Sequence, residues 1–210
     1  MLHVLRQEGL TEGAALLTTI NEAADRVAMH GVRRDLLEAQ AAAAGLPLRT
    51  ILLPHPCPND VYEARMRAAV DRAVADGFTH AAFGDLFLED VRTYRERSLS
   101  GTGLTPMFPL WGRNTAALAT EMIDAGIKAT LTCVDPRVLD RRFAGRRFDA
   151  ALLAELPPGV DPCGERGEFH TVVTAGPMFD REIAVTPGIV VERDGFVFAD
   201  VLPDELDAHP

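Results

Sequence analysis

Residues 161–171, with the sequence DPCGERGEFHT, carry a dense set of side chains that could do chemistry. They include three carboxylates, one thiol and one imidazole, on Asp161, Glu165, Glu168, Cys163 and His170. A proline and two glycines shape this backbone, and no apolar period of 2 or 3.6 runs through it, so the pattern predicts a loop. We interpret it as a binding or catalytic loop that leads into a strand. The alternative is a solvated loop whose acids face water.

Three kinds of chemistry are open to this loop. Cys163 and His170 could form a nucleophile pair, although their spacing in the sequence does not show that they touch. A metal site of Asp, Glu and His is conceivable, but the spacing matches no metal motif, and we predict none. The account that fits best is that Glu165 and Glu168 bind a cationic or amine group, or orient an ammonia nucleophile.

Strands and helices alternate through the first half of the sequence. Apolar runs predict strands over residues 14–20, 48–53 and 79–83. Helices are predicted over residues 32–44 and 59–76, and a glycine ends each of them. This order predicts right-handed βαβ crossovers and a parallel sheet, so the fold class is α/β.

The second half has a less regular pattern. Helices are predicted over residues 88–99, 114–123 and 148–156, a strand over residues 127–134, and a hairpin over residues 189–201. Small and polar residues cluster between Ser100 and Gly103. We place a soft domain boundary there, which divides the chain into residues 1–100 and 101–210.

Further candidate residues follow the third predicted strand. Gly84 and Asp85 lie where ligands of open parallel sheets bind, although a plain strand-to-helix turn would explain them too. Glu89 and Arg92 are the charged residues of the next helix nearest to this end, and a solvated helix face is the alternative. We interpret Trp111, the single tryptophan, as packing rather than as a ligand-stacking residue.

Charge and cysteine content exclude several classes of function. The net charge of −10 argues against binding to nucleic acid or to an anionic membrane surface, because both need a positive field. The arginines at 141, 142, 146 and 147 could grip an anion or form a solvated face. Three cysteines without a CxxC motif predict a reduced, cytoplasmic setting, and neither a membrane span nor a signal peptide is predicted.

Four motifs in order resemble a known family: FGDLFLEDVRTYRE (83–96), PLW (109–111), CVDP (133–136) and the loop 161–171. Together they look like the diphthine–ammonia ligase-like branch of the PP-loop ATP pyrophosphatases. This resemblance implies a nucleotide-binding α/β domain of HUP/PP-loop type, followed by a smaller α+β domain that carries a CGExGE loop. It also implies that ATP, with Mg²⁺, activates a carboxylate as an acyl-adenylate and that ammonia then converts it to an amide.

The resemblance also assigns roles to residues. The implied nucleotide-binding residues are Leu17, Thr18, Thr19, His30, Gly31, Gly84 and Asp85. The implied catalytic residues are Glu165, Glu168 and His170. The implied substrate-binding residues are Glu89, Arg92, Asp161, Cys163 and Gly164. The expected partners are ammonia and a small-molecule or protein-borne carboxylate, and a homo-oligomer is compatible with them.

The sequence departs from the family pattern in two places. The phosphate loop SGGKDS is not in the sequence, so we expect a reading truncated at its 5′ end, through a missed upstream start codon. Residues 165–170 also differ from the EGGEYE-like loop of the eukaryotic and archaeal ligases, which suggests a bacterial subgroup and leaves the acyl substrate open. The second hypothesis is a non-catalytic nucleotide- or metabolite-binding protein. A tRNA-thiolating enzyme is disfavoured by the acidic charge and the missing CxxC.

Overall fold

A computed structural model describes residues 1–204 of the chain. Its helices are α1 (Leu2–Gln7), α2 (Arg34–Ala43), α3 (Asn59–Ala75), α4 (Glu89–Leu99), α5 (Thr115–Asp124) and α6 (Ala150–Glu155). Its strands are β1 (Leu16–Asn21), β2 (Arg26–Val27), β3 (Leu48–Leu53), β4 (His80–Ala82), β5 (Thr105–Met107), β6 (Lys128–Val134), β7 (Phe169–Ala175), β8 (Val185–Arg193) and β9 (Phe196–Pro203). No helix among these residues has the length and apolar composition needed to cross a membrane.

The strands form three sheets, in the orders β2-β1-β3, β4-β5 and β7-β6-β9-β8. β1 and β3 pair in parallel over their whole lengths, and β4 and β5 form a second parallel pair. All pairs of the third sheet are antiparallel. The prediction of a mixed α/β protein is therefore confirmed. The single parallel sheet of HUP type is not, because β1 and β4 lie in separate sheets within residues 1–204.

The predicted boundary at residues 100–103 separates two strands that pair with each other. β4 lies before this boundary and β5 after it, yet the register joins His80 to Thr105 and Ala82 to Met107. The parallel pairing thus extends beyond the predicted boundary, to residue 107. The division of the chain into residues 1–100 and 101–210 stays a prediction.

The largest cores lie on the antiparallel sheet. One face packs against α5, α6 and the 3₁₀ turn Arg141–Phe143, which bury Ala119, Leu152 and Phe143 against Leu131 and Val134 of β6. The other face is covered by α2 from the first half of the chain. There Leu36 packs in one cluster with Val172 of β7 and Val201 of β9. The antiparallel sheet thus has a helical layer on each face.

An ion-pair cluster also joins the first half of the chain to the antiparallel sheet. Asp200 on β9 accepts hydrogen bonds from Arg26 and Arg33, with nitrogen–oxygen distances of 2.6 to 3.2 Å. The Asp200 side chain is 12% exposed. These arginine hydrogen bonds lower the pKa of Asp200 to about 2, against the opposing effect of burial. The carboxylate therefore stays ionised and holds the segment around β2 on the sheet.

Candidate functional site

The loop of residues 161–168 is closed by its own carboxylates. Asp161 Oδ2 accepts hydrogen bonds from the backbone amides of Cys163, at 3.2 Å, and Glu165, at 3.0 Å. Glu168 accepts from the amides of Asp161 and Arg166, both at 2.9 Å. Asp161 and Glu168 are each only 5% exposed. Both carboxylates, predicted as substrate-binding and catalytic, therefore satisfy backbone donors inside the loop.

Gly164 sets the shape of this loop. Its φ of +69° lies in the left-handed region that glycine adopts readily. A Cβ at this position would lie 2.7 Å from the carbonyl oxygen of Phe169, which begins β7. Glycine is needed because any side chain would push the loop away from the strand. The role of Gly164 that the structure supports is therefore close packing of the loop on β7.

Glu165 is the carboxylate of the loop that reaches outward to another part of the chain. Its Oε1 accepts a hydrogen bond from the Leu86 amide at 2.7 Å, just beyond the end of β4. Burial raises the pKa of Glu165, the amides of Leu86 and Phe87 oppose this, and the charges of Asp85 and Asp161 add to the rise. A raised pKa makes this carboxylate a stronger proton acceptor than an ordinary glutamate.

The structure brings Glu165 close to Asp85 but gives them different partners. Asp85 is paired with Arg95, whose Nε donates to Asp85 Oδ2 at 2.7 Å. Glu165 forms no ion pair within residues 1–204. Gly84, the neighbouring predicted residue, is exposed. Of these two acids, Glu165 is thus the one whose charge a ligand could balance.

The two charged residues predicted on α4 differ in their surroundings. Glu89 is exposed at the first turn of the helix. Arg92 lies over the rings of Phe108 and Trp111, and its Nε donates to Glu96 at 2.8 Å. Arg92 is therefore positioned by neighbouring side chains, whereas Glu89 faces solvent.

Cys163 and His170 do not form a nucleophile pair. The Cys163 thiol donates to the carbonyl oxygen of Thr115 at 3.3 Å, and burial raises the pKa of this thiol to about 12. His170 instead stacks on His30, with 4.3 Å between the ring centroids and 30° between the planes. Burial lowers the pKa of both imidazoles, that of His170 to about 4. A thiol whose pKa lies far above 7 stays protonated at neutral pH, and a protonated thiol is a poor nucleophile.

The residues predicted to bind the nucleotide fall into three places. Leu17, Thr18 and Thr19 lie on β1, opposite residues 49–51 of β3, and Leu17 is 49% exposed. His30 and Gly31 pack against the antiparallel sheet: a Cβ on Gly31 would lie 2.7 Å from the Phe198 ring. Within residues 1–204, no hydrogen bond or ion pair joins these groups to Gly84 or Asp85, which form the third place.

The described residues do not fit the triphosphate of ATP. Phosphates need convergent backbone amides or cations, such as a glycine-rich loop with a lysine. The single lysine of the sequence, Lys128, pairs with Glu182 on the antiparallel sheet. Across residues 1–204, no three His, Cys, Asp or Glu side chains come close enough to hold a metal ion. Residues 1–204 therefore provide neither a phosphate-binding loop for ATP nor a three-ligand site for Mg²⁺.

Comparison with known proteins gives a consistent result. Residues 114–197, which include the loop at 161–168, match the family model of the diphthamide synthase C-terminal domain. The diphthine–ammonia ligases of Bos taurus and Homo sapiens are each 31% identical over 149 residues, which cover 68% of this chain and 54% of each relative. The chain is therefore similar to the diphthine–ammonia ligases. It spans about half the length of the curated relatives it matches.

Other residues near Glu165 and Arg92 were not predicted from the sequence as functional. The Leu86 amide holds Glu165, and Phe108 and Trp111 flank Arg92. A backbone amide carries no signal in the sequence, because every residue except proline has one. The PLW motif did carry a signal, although Trp111 was interpreted as packing. Its contact with Arg92 shows that the ring also positions a charged group.

Proposed function

We propose that this protein is a carbon–nitrogen ligase of the diphthine–ammonia ligase type, which converts a carboxylate to an amide with ammonia. The substrate would be a small-molecule or protein-borne carboxylic acid. The similarity to the diphthine–ammonia ligases suggests ATP as the source of activation, whereas residues 1–204 do not fit its triphosphate. The similarity of residues 114–197 to the diphthamide synthase C-terminal domain supports the reaction class. The observation that carries the proposal is Glu165, which reaches from that region to Leu86 beyond β4.

Glu165 would orient the nitrogen nucleophile. Its carboxylate is half-buried, has no cationic partner within residues 1–204 and is held in place by the Leu86 amide. An ammonium ion would balance this charge, and the raised pKa would favour transfer of one of its protons to the carboxylate. The nitrogen lone pair released in this way would be directed towards the acyl carbon of the substrate. Asp161 and Glu168 would keep Glu165 in position.

The test is a Glu165→Gln variant, which keeps the shape of the side chain and removes its capacity to take a proton. With ATP, Mg²⁺, ammonium and a panel of carboxylic acids, the wild-type protein should release pyrophosphate and form an amide. The variant should form amide about 10²- to 10⁴-fold more slowly, the range expected for loss of a general base. Glu192→Gln is the matched control, because Glu192 is exposed on β8. Equal rates for Glu165→Gln and wild type would overturn the role of Glu165.

A second function is favoured by the poor fit of the triphosphate. The chain would then be a non-catalytic protein that binds a nucleotide or another metabolite. Isothermal titration with ATP and with AMP separates the two proposals. Binding of AMP at least as tight as binding of ATP, without pyrophosphate release for any acid, would favour the non-catalytic protein. Pyrophosphate release that depends on an added acid would favour the ligase.

A further inference from the structure

Arg92 lies against two aromatic rings. Its guanidinium carbon lies 4.6 Å from the centre of the Trp111 ring and 4.9 Å from that of the Phe108 ring. The two rings meet edge to face, with 6.0 Å between their centroids and 67° between their planes. Aromatic contacts of this kind fix the plane of a guanidinium group while leaving its edge free to donate hydrogen bonds. We call these three residues the arginine clamp.

The edge of the Arg92 guanidinium is only partly used. Its Nε donates to Glu96 at 2.8 Å, and its two terminal nitrogens donate to no acceptor within residues 1–204. Arg95, one turn further along α4, provides the contrast. It stacks on Phe83 at 4.5 Å, and both Nε and Nη2 donate to Asp85. One arginine of this helix thus has its acceptor in the protein, whereas the other presents donors outward.

The clamp and Glu165 are connected through one residue. The Leu86 amide donates to Glu165, and the Leu86 carbonyl accepts from the Gly112 amide at 2.8 Å. Gly112 directly follows Trp111 in the turn that begins at Phe108. Leu86 also packs with Leu110 in one apolar cluster, so the turn is fixed on both sides. The main chain of Leu86 therefore connects Glu165 to the turn that carries Phe108 and Trp111.

We infer that the arginine clamp binds a carboxylate of the ligand and distinguishes it from the corresponding neutral amide. A planar guanidinium edge matches a carboxylate with two parallel hydrogen bonds, and its aromatic neighbours reduce the freedom lost on binding. The chain has a net charge of −10, so an anion needs such a local cation in order to bind. This inference rests on the proposed ligase function, in which an acid is the substrate and an amide is the product. The clamp would hold the acid and release the amide.

Trp111 allows a direct test because it is the only tryptophan of the chain. Its fluorescence would be followed during titration with glutarate, glutaramide and inorganic phosphate at constant ionic strength. We expect a saturable change with glutarate, and at least about tenfold weaker binding of glutaramide, which cannot form the charged pair. No saturable change with glutarate, or equal binding of the diamide, would overturn the inference. Phosphate binding about tenfold tighter than glutarate would assign the clamp to a phosphate group instead.

Variants separate the geometry of the clamp from its charge. Arg92→Lys keeps the charge but loses the planar edge, and should weaken glutarate binding about tenfold or more. Arg97→Gln is the matched control on the same helix, because Arg97 is exposed, and it should bind glutarate within about twofold of wild type. Unchanged binding by Arg92→Lys would overturn the inference. Circular dichroism and thermal unfolding would show that each variant is folded.

The rings need a readout that does not depend on tryptophan. Saturation-transfer NMR on glutarate would compare wild type with Trp111→Ala and Trp111→Phe. The alanine variant should bind several-fold more weakly, and phenylalanine should restore most of the binding because it keeps a ring face. Equal binding by all three proteins would overturn the positioning role of Trp111. Binding of glutarate without amide formation from any acid of the panel would leave the clamp intact and reject the ligase, whereas amide formation without glutarate binding would do the reverse.

Discussion

The strand β1 of the parallel pair and the strand β6 of the antiparallel sheet are buried to very different extents. One of six residues of β1 is buried, compared with five of seven residues of β6. The helices differ in the same way: α3 buries only Ala69 among its 17 residues. Burial of apolar area is the main source of folding free energy, so the antiparallel sheet should contribute most of the stability.

This difference bears on function. The loop at 161–168 runs directly into β7 of the well-covered sheet, and Gly164 packs against the first residue of that strand. The residues predicted to bind the nucleotide on β1 lie on the less covered sheet. We therefore expect the carboxylate loop to be rigid and the β1 region to open more readily.

The largest difference in stability should appear when a leucine is replaced by alanine on β6 and, for comparison, on β1. Leu131 on β6 is 0% exposed, and Leu17 on β1 is 49% exposed. Leu131→Ala should lower the free energy of unfolding by about 3–5 kcal/mol, because it removes buried contacts and leaves a cavity. Leu17→Ala should cost less than about 1 kcal/mol. Urea denaturation would measure both values, and similar costs would break the comparison between the two sheets.

The second-largest loss of stability should come from the ion pairs of Asp200. Asp200→Asn should lower the free energy of unfolding by about 2 kcal/mol, because Arg26 and Arg33 lose a charged acceptor. Asp76→Asn is the control: Asp76 pairs with Arg49 in solvent and should cost at most about 0.5 kcal/mol. The pKa of Asp200 is lowered to about 2, so its stabilisation is present above about pH 4 and is lost as the pH falls towards 2. Thermal unfolding would show both differences, and equal effects would mean that Asp200 does not fasten the two parts.

Two glycines with the same backbone conformation test the packing at this contact. Gly31 has φ +69° and faces the Phe198 ring, whereas Gly9 has φ +70° and nothing within 4 Å of a Cβ. Gly31→Ala should cost about 2 kcal/mol, from backbone strain together with displacement of the ring. Gly9→Ala should cost about 1 kcal/mol, from strain alone. If chemical denaturation gave equal losses, close packing at Gly31 would not matter for stability.

The stacked histidines give the smallest effect, which depends on pH. Burial lowers the pKa of His30 and lowers that of His170 to about 4, so both are neutral in the folded protein. The unfolded chain takes up these protons more readily, so stability is complete above about pH 6.5 and falls towards pH 4. We expect a loss of roughly 1–2 kcal/mol as the pH falls from 7 to about 5. His170→Gln should flatten the slope in denaturant titrations. An unchanged slope in His170→Gln would assign the pH dependence to other groups.

The sequence predicted local elements better than their pairing. Apolar runs located β1, β3 and β6 within about two residues, because the same burial that forms a strand leaves an apolar pattern. The two-residue strand β2 and the early start of β8 at Val185 were missed, since β2 is too short to show a period and Pro187 and Gly188 interrupt the pattern of β8. The division into several sheets was missed because strand order depends on contacts distant in sequence.

For the candidate site, too, the sequence predicted the segment better than the contacts within it. The density of acids in the loop predicted a functional segment, and Glu165 of this loop reaches the Leu86 amide beyond the end of β4. The internal roles of Asp161 and Glu168 were not visible, because carboxylates that bind backbone amides have the same residue types as carboxylates that bind ligands. The catalytic and binding roles assigned to the site residues remain predictions.

Leu86 joins the proposed nitrogen site to the arginine clamp through its main chain alone. Replacement of its side chain by anything except proline would keep both hydrogen-bonding groups. Under the proposed function, substitutions at Phe108 and Trp111 would change which acids are accepted without moving the Glu165 carboxylate. Such an arrangement lets selectivity for the substrate diverge among homologues while the reaction stays the same.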